Sequence, residues 1–581
     1  MSLDALRCSG IMLGMFVKTT RRRRGDKVYE YLSLVESVRN GSKVGHRTLL
    51  RLGEVTALRE SGQLERIVAA LERHLRRERV DVGALEAEGA PGVGAVAAVW
   101  AVWQRLGLDG WFAQVGAARG AKALEHAVFA MVANRLVAPC SKRRLVEWTA
   151  SDVVMPDGWS APSPDQYYRA LDAVAATKDE TETYLYTRLC DLANLDLRLV
   201  CYDLTSTYFE GSTRPSGRFP SRAFGYSRDH RSDRPQIVIG LLCTSDGIPV
   251  AHHVFSGNTN DATTLSGVLG DLAERFAVGR ICVVADRGLI SAANVDAVTE
   301  AGFDHLLATR LRRDRISAEA LAAINEDTAW VDIAQHSCRA ADIFLADGTR
   351  TVVVESDARV RRDTARTAEI VAATEAKLSG LEDRVRAGRV EDPAKIGAAA
   401  QRILATVGAG RLFDVEIGEG RFLYHYNEDA HTYEELLAGR YVLATSLTPN
   451  QADTAQVVGY YRQLAAVEAR FRVLKDHLRL RPVRHWTEQR VRGHVAVCVY
   501  AAIIETLINH ALTQADIRDP DLGDQHLTAA RALRDLNRIR RHQLSANSRR
   551  IGLTTRRSPQ QARTLTAIGT DTRTWDKATI T

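Results

Sequence analysis

The chain has 581 residues, more than one hydrophobic core usually serves, so several domains are expected. Its apolar fraction of 45% and charged fraction of 26% are those of an ordinary soluble globular protein and exclude a disordered chain. Lys and Arg total 78 against 71 Asp and Glu, a charge of +7 that favours a polyanionic partner without establishing one.

"GIMLGMFV" near the start lacks a basic flank and a cleavage site, so no signal peptide is expected. Residues 15–55 read as strands joined by tight turns, with Arg-Gly-Asp and Asn-Gly-Ser as the turn sequences. "RRRR" at 21–24 suits a solvated turn or a phosphate clamp equally well. From about 60 to 190 the apolar spacing turns helical, and Ser163-Pro164-Asp165 marks one helix start. The eight cysteines are scattered with no CxxC pair, which argues against a disulfide framework or a zinc site and fits a reducing cytoplasm.

"DLRLVCYDLTSTYFEG" (196–211) begins as a strand, with Leu197, Leu199 and Cys201 on one face. Asp203 falls on that same face, where a carboxylate must be desolvated, paired or bound to a cation, because an isolated buried charge is too costly to keep. A hairpin around Asp246-Gly247, an amphipathic helix (264–277) and a short apolar strand ending in Asp286 come next. With the next helix and strand the order is β-β-β-α-β-α-β, that of a ribonuclease H-like mixed sheet. Asp286 would lie at a strand C-terminus, where ligands of open α/β sheets collect. His252 and His253 alternate to opposite sheet faces, which rules out joint metal ligation. Asn258 and Asp261 in "GNTND", with Arg287 in "ADRGL", are candidates to support the acids, although an Asx turn accounts for the first two more simply.

Residues 312–440 mix β-like pieces with a charged helical hairpin and read as an insertion domain. Its Trp330 reads as a core residue rather than a stacking platform. The core resumes with "GRYVLATSL" and a long helix from about 453. On a straight helix Tyr461, Glu468 and Lys475, seven apart, return to nearly one face, about 20° short of two turns each time. Val467, Phe471, Leu474 and Leu478 would pack the adjoining face on the sheet. The basic run "RVLKDHLRLRPVRH" offers Arg472 and Arg479 to a DNA backbone. "VAVCVYAAIIETLINHAL" (495–512) is interrupted by Glu505, Asn509 and His510 and reads as a buried helix, not a membrane span.

These residues resemble a known family, the DDE transposases of bacterial insertion sequences, in the group with a domain inserted before the last acid. Its signature is an Asp on the first strand, an Asp ending the fourth, and a helix reading Y-(2)-R-(3)-E-(6)-K. The matching positions are Asp203, Asp286, Tyr461, Glu468 and Lys475; the usual Arg position holds Leu464, with Arg462, Arg470 and Arg472 as neighbours able to replace its charge. "VFSGNTNDATTL", "ADRGL", "VEARFRVLK" and the N-terminal "YEYLSLVES" are similar to this group as well. The resemblance implies that Asp203, Asp286 and Glu468 are the catalytic acids and hold two Mg²⁺ (or Mn²⁺) ions, roughly 3.5–4 Å apart. It implies that water cuts the transposon end and that the freed 3′-OH attacks target DNA, with Tyr461 and Lys475 on phosphates near the cut. The implied partners are transposon-end and target DNA and a second copy of the chain on paired ends, in the bacterial cytoplasm.

The expected organisation is a multidomain α/β (α+β) chain: an N-terminal β-hairpin region (1–60), a helical DNA-binding region (61–195), a ribonuclease H-like core (196–311 and 441–515), the insertion domain (312–440) and a basic helical C-terminal region (516–581). A metal-dependent nuclease of the same fold without strand joining, and a non-catalytic DNA-binding descendant, remain as alternatives.

Overall fold

The computed structural model describes residues 13–40, 43–74, 85–116, 121–193, 199–211, 221–276, 281–286, 292–312, 314–405, 409–546, 549–572 and 579–580. The chain divides into two compact units, Met1–Glu86 with Ser545–Arg549, and the remainder.

The N-terminal unit is a three-stranded antiparallel sheet, β1 (Leu13–Arg24), β2 (Lys27–Asn40) and β3 (Lys43–Glu54). The expected Arg-Gly-Asp turn joins β1 to β2, with Gly25 at φ 63°, a conformation glycine adopts without steric cost. The second expected turn falls partly outside the described residues. Helices Val55–Glu60 and Gln63–Glu72 come after β3, and Val35 and Leu58 are buried apolar side chains of this unit. The unit therefore runs past the expected boundary at 60.

In the large unit, after a short strand β4 (Glu86–Gly89), lies a nine-stranded sheet. Its first five strands in the chain are β5 (Leu199–Tyr208), β6 (Gln236–Thr244), β7 (Pro249–Ser256), β8 (Cys282–Ala285) and β9 (Asp304–Ala308). They lie in the order β7-β6-β5-β8-β9, with β8 parallel to both β5 and β9 and the hairpin antiparallel, the ribonuclease H-like arrangement expected. Four more strands, β10 (Val331–Ile333), β11 (Cys338–Phe344), β12 (Arg350–Glu355) and β15 (Arg440–Thr445), extend the same sheet beyond β9 in the order β15-β12-β11-β10.

This extension corrects the expected insertion boundary. β12 is buried throughout and pairs with β15 across about 85 residues of intervening chain, with the Arg440–Glu355 ion pair (2.7 Å) at its end. The excursion that forms its own core is shorter: helices Asp357–Arg386 and Pro393–Leu404 pack on the hairpin β13 (Phe413–Gly418) and β14 (Arg421–Tyr426) around Leu378, Leu381, Ile396 and Phe422. Trp330 is half-buried, as expected of a packing residue, with the Arg339 guanidinium 4.6 Å from its ring centre.

Both faces of the sheet are covered. Val200, Tyr202 and Leu204 pack with helix Leu265–Arg275, whereas Leu199 and Cys201 face a larger core built with helices from both ends of the unit. That larger core includes Gly94–Arg105, Ala121–Val137 and Pro164–Ala176, so most of the expected 61–195 region shares a core with the sheet instead of forming a domain of its own. The Pro164–Ala176 helix starts as expected, in a capping box of Ser163 and Gln166. Helix Glu488–Gln514 is long and apolar enough to cross a membrane, but 83% of its apolar window is buried inside the protein. A helix apolar on every side is a core helix when other elements wrap it. Its Glu505 pairs with Arg470 and accepts from Asn509 Nδ2 (2.7 Å). The C-terminal region differs from the expected all-helical one: strands Arg541–Ala546 and Arg549–Thr554 separate helices Ala529–Leu536 and Pro559–Ile568.

Candidate active site

Asp203 and Asp286 are set side by side by register. Tyr202 pairs with Ala285 in the parallel β5–β8 ladder, so the next residue on each strand is an aspartate, on strands about 4.8 Å apart. Asp203 shares its face with Leu199 and Cys201, and against that face pack Leu464, Val467 and Phe471 of helix Leu464–Arg472. The helix carries Glu468, which approaches closely enough to act on Asp203 electrostatically.

The Asp203 carboxyl is pushed up to about 7. Burial is the largest cause, and the carboxylates of Asp286 and Glu468 add to it. The Leu204 backbone N–H, donating to Oδ1 at 2.7 Å, and the Arg228 guanidinium act in the opposite direction without cancelling it. Asp203 is a half-buried acid short of positive charge, which is the cost its place on an apolar strand face foretells.

Asp286, Glu468 and Tyr461 line a cleft of about 660 Å³ between the sheet and the helical excursion. The Tyr461 hydroxyl lies 3.5 Å from Asp286 Oδ1, and its ring packs on Tyr441 (centroids 5.6 Å apart). The expected straight stripe of Tyr461, Glu468 and Lys475 is broken. The helix stops at Arg462, restarts at Leu464 and ends in a π-turn, Val473–His477. A π-turn fits more residues into each turn and so rotates the side chains beyond its start. Lys475 accordingly faces Asp229 (2.8 Å), half-buried, instead of standing free for a phosphate. Asp229 is shared with Arg481 at 2.6 Å.

The remaining expected residues are scattered. Asp261 is ion-paired with Arg228, whose backbone N–H donates to Ser206 Oγ on β5 (3.0 Å), so it reaches the acids only through that arginine. Asn258 is exposed and accepts from Ser256 Oγ (2.6 Å), the turn arrangement. Arg287 lies outside the described residues. Arg472 is exposed, and Arg479 is exposed in a separate groove. Leu464, at the usual Arg position, is buried. Two of its three expected substitutes have other partners: Arg470 holds Glu505, and Arg462 bonds Cys338 and Tyr441.

A transposase DDE domain model matches residues 195–504, more than half of the chain. The chain belongs to the DDE transposases. In this transposase the large sheet and its acids lie within the matched segment, and a model of the IS1634 family transposase N-terminal domain matches residues 17–85, the span of the small unit. Among solved structures it is similar to the piggyBac transposase synaptic complex with hairpin DNA, at 11% identity and a TM-score of 0.33, over 71% of this chain and 70% of that one. No curated protein matches it. The transposase is thus an enzyme of the transposase and nuclease type that acts in DNA transposition.

Several residues of the transposase's cleft escape sequence reasoning. Arg359, Asp363, Arg366, Thr367 and Ile370 line it from one face of helix Asp357–Arg386, and Arg312 lines it from the loop after β9. The Arg359 guanidinium lies 5.5 Å from the Tyr441 ring centre, and Arg366 is exposed. The spacing i, i+4, i+7, i+8, i+11 is visible in the sequence, but nothing local says that this face turns toward the acids. Arg228, in the loop before β6, has no signal beyond its dense charge.

The donor set fits hard divalent ions: three carboxylates, one of them half-buried and short of positive charge. Among the described residues no three His, Cys, Asp or Glu side chains close on a single ion. Two ions shared between neighbouring carboxylates need no such three-fold convergence.

Proposed function

We propose that this transposase cuts the ends of an insertion sequence and joins the 3′-OH ends to target DNA, with Asp203, Asp286 and Glu468 as catalytic acids holding two Mg²⁺ or Mn²⁺ ions. The observation that carries the reading is Asp203, a half-buried carboxyl pushed up to about 7 beside two further acids. A group this short of positive charge is costly in a structural role and suited to a cation. Bound there, the ions would activate the attacking hydroxyl and stabilise the leaving oxygen.

The chain's own residues would do the rest. Tyr461, beside Asp286, would orient a phosphate at the cut. Arg359 and Arg366 on the cleft wall would neutralise neighbouring phosphates, supplying the charge that Leu464 does not. Lys475 would support from behind, through Asp229, and Arg472 and Arg479 would meet the backbone further out. As the family resemblance implies, the working form would be a homodimer on paired ends, in the bacterial cytoplasm.

The test is a strand-transfer assay with pre-cut ends taken from the DNA flanking the gene, with and without Mg²⁺. Joined products from the wild type and none from Asp203→Asn or Glu468→Gln support the proposal. Cleavage without joining makes the protein a nuclease, and cleavage by Asp203→Asn that equals the wild type removes the acids from the chemistry.

A further inference from the structure

A second groove, of about 470 Å³, lies between the end of helix Ala121–Val137, the start of Lys142–Glu147 and the loop 479–487. Arg135, Lys142, Arg479, Arg481, Arg484 and Arg490 all line it, and among the described residues no Asp or Glu does. Four of these six already have partners. Arg481 meets Asp229 and Asp476, Arg484 meets Glu210, Arg490 lies 3.5 Å from Asp172, and Arg135 is held by the carbonyls of Leu478, Arg479 and Cys140.

Lys142 is different. It is only 6% exposed, it faces the groove, and no carboxylate or hydrogen-bond acceptor of the described residues meets its ammonium. Burial and the neighbouring Arg135 push it down to about 7. His485 and His494 are also held low by burial, so they bring neutral imidazoles to the same wall. Arg479 adds a second anomaly, a φ of 49°. A non-glycine residue in that region carries a cost that structures usually spend on aiming a side chain. A buried lysine beside a buried guanidinium, with no carboxylate lining the groove, is held near neutral by burial and recovers its charge when an anionic ligand is seated against it.

We propose that this groove is a second phosphate-binding site, seating a backbone phosphate of the DNA away from the scissile position. The proposal rests on the transposase reading for the identity of the polyanion. Loop and active site are mechanically joined: Val483 N–H donates to the Tyr208 carbonyl (3.0 Å) and Glu210 N–H to the Val483 carbonyl (3.1 Å), at the far end of the strand that carries Asp203. Five residues of strand span roughly 17 Å. Arg481 also ties the groove to the end of the Glu468 helix, since it lines the groove and shares Asp229 with Lys475 of the π-turn.

The test uses the full-length protein and a labelled duplex of arbitrary sequence, with affinity followed by fluorescence anisotropy from about 50 to 200 mM KCl. Lys142→Met keeps the stem volume and removes the charge; Arg479→Ala changes an exposed side chain and guards against a folding defect in the first variant. Each is expected to weaken binding several-fold and to lower the slope of log affinity against log salt by about one. A wild type that binds duplex, with both variants showing its slope and affinity, overturns the groove and leaves the transposase reading standing. A wild type that binds no duplex overturns both.

Discussion

Replacing Asp203 by Asn should make the metal-free protein more stable at neutral pH and useless as a catalyst. The carboxyl sits near 7 when folded, against an ordinary 3.8, so the folded state keeps a proton that the unfolded chain gives up. That fixes the sign. Below about pH 4 both states are protonated and the group costs nothing. Between about pH 4 and 7 the folded state progressively loses stability, and above 7 the full penalty applies. The rise from 3.8 to about 7 corresponds to about 4 kcal/mol. Asn keeps the shape, its amide oxygen can still accept from the Leu204 N–H, and it carries no charge to desolvate. For a unit of roughly 490 residues, with an unfolding entropy near 2.1 cal/mol/K per residue, 4 kcal/mol is worth about 4 °C in Tm. The assay is thermal unfolding in a chelator from about pH 4 to 8.5, repeated with Mg²⁺ and Mn²⁺. The variant should gain on the wild type as pH rises and lose that lead on addition of metal, which stabilises only the wild type. Equal melting temperatures in chelator at about pH 8, or a less stable variant, would refute the idea that Asp203 is a half-buried acid awaiting a cation.

Other substitutions read other parts of the same machinery. Arg470→Ala strands the buried Glu505 carboxylate inside the central helix layer and should cost about 3–5 kcal/mol, measured by denaturant unfolding. Asp229→Ala leaves Lys475 and Arg481 facing each other without their shared anion, and burial already pushes Lys475 down. This variant should melt earlier than the wild type at neutral pH, with the deficit shrinking as pH rises and Lys475, held below the ordinary lysine range by burial, sheds its proton. Gly257→Ala would drive a Cβ into the carbonyl groups of Gln236 and Ala223, so the loop bearing Arg228 must move. A fall in DNA cleavage larger than the fall in Tm accounts for is the expected result, and unchanged cleavage would separate that loop from the site.

The amino-acid sequence alone determined which groups are available and the order in which the chain meets them. An aspartate on an apolar strand face, a second ending a short strand and a glutamate on an amphipathic helix are local patterns of period two and 3.6, readable without partners. The strand-helix order of the first five strands, and hence their arrangement, comes from the same periods. What the tertiary structure decided depends on contacts between distant segments. β12 joins the main sheet because β15, some 85 residues later, offers it an antiparallel edge. Lys475 turns to Asp229 because one π-turn rotates it off the Glu468 stripe, an offset that residue spacing does not encode. The Arg359 face over the acids and the Lys142 groove likewise exist only where separate elements close on one another. Periodicity is a property of neighbours along the chain, whereas the field at a buried carboxylate sums over everything folded around it.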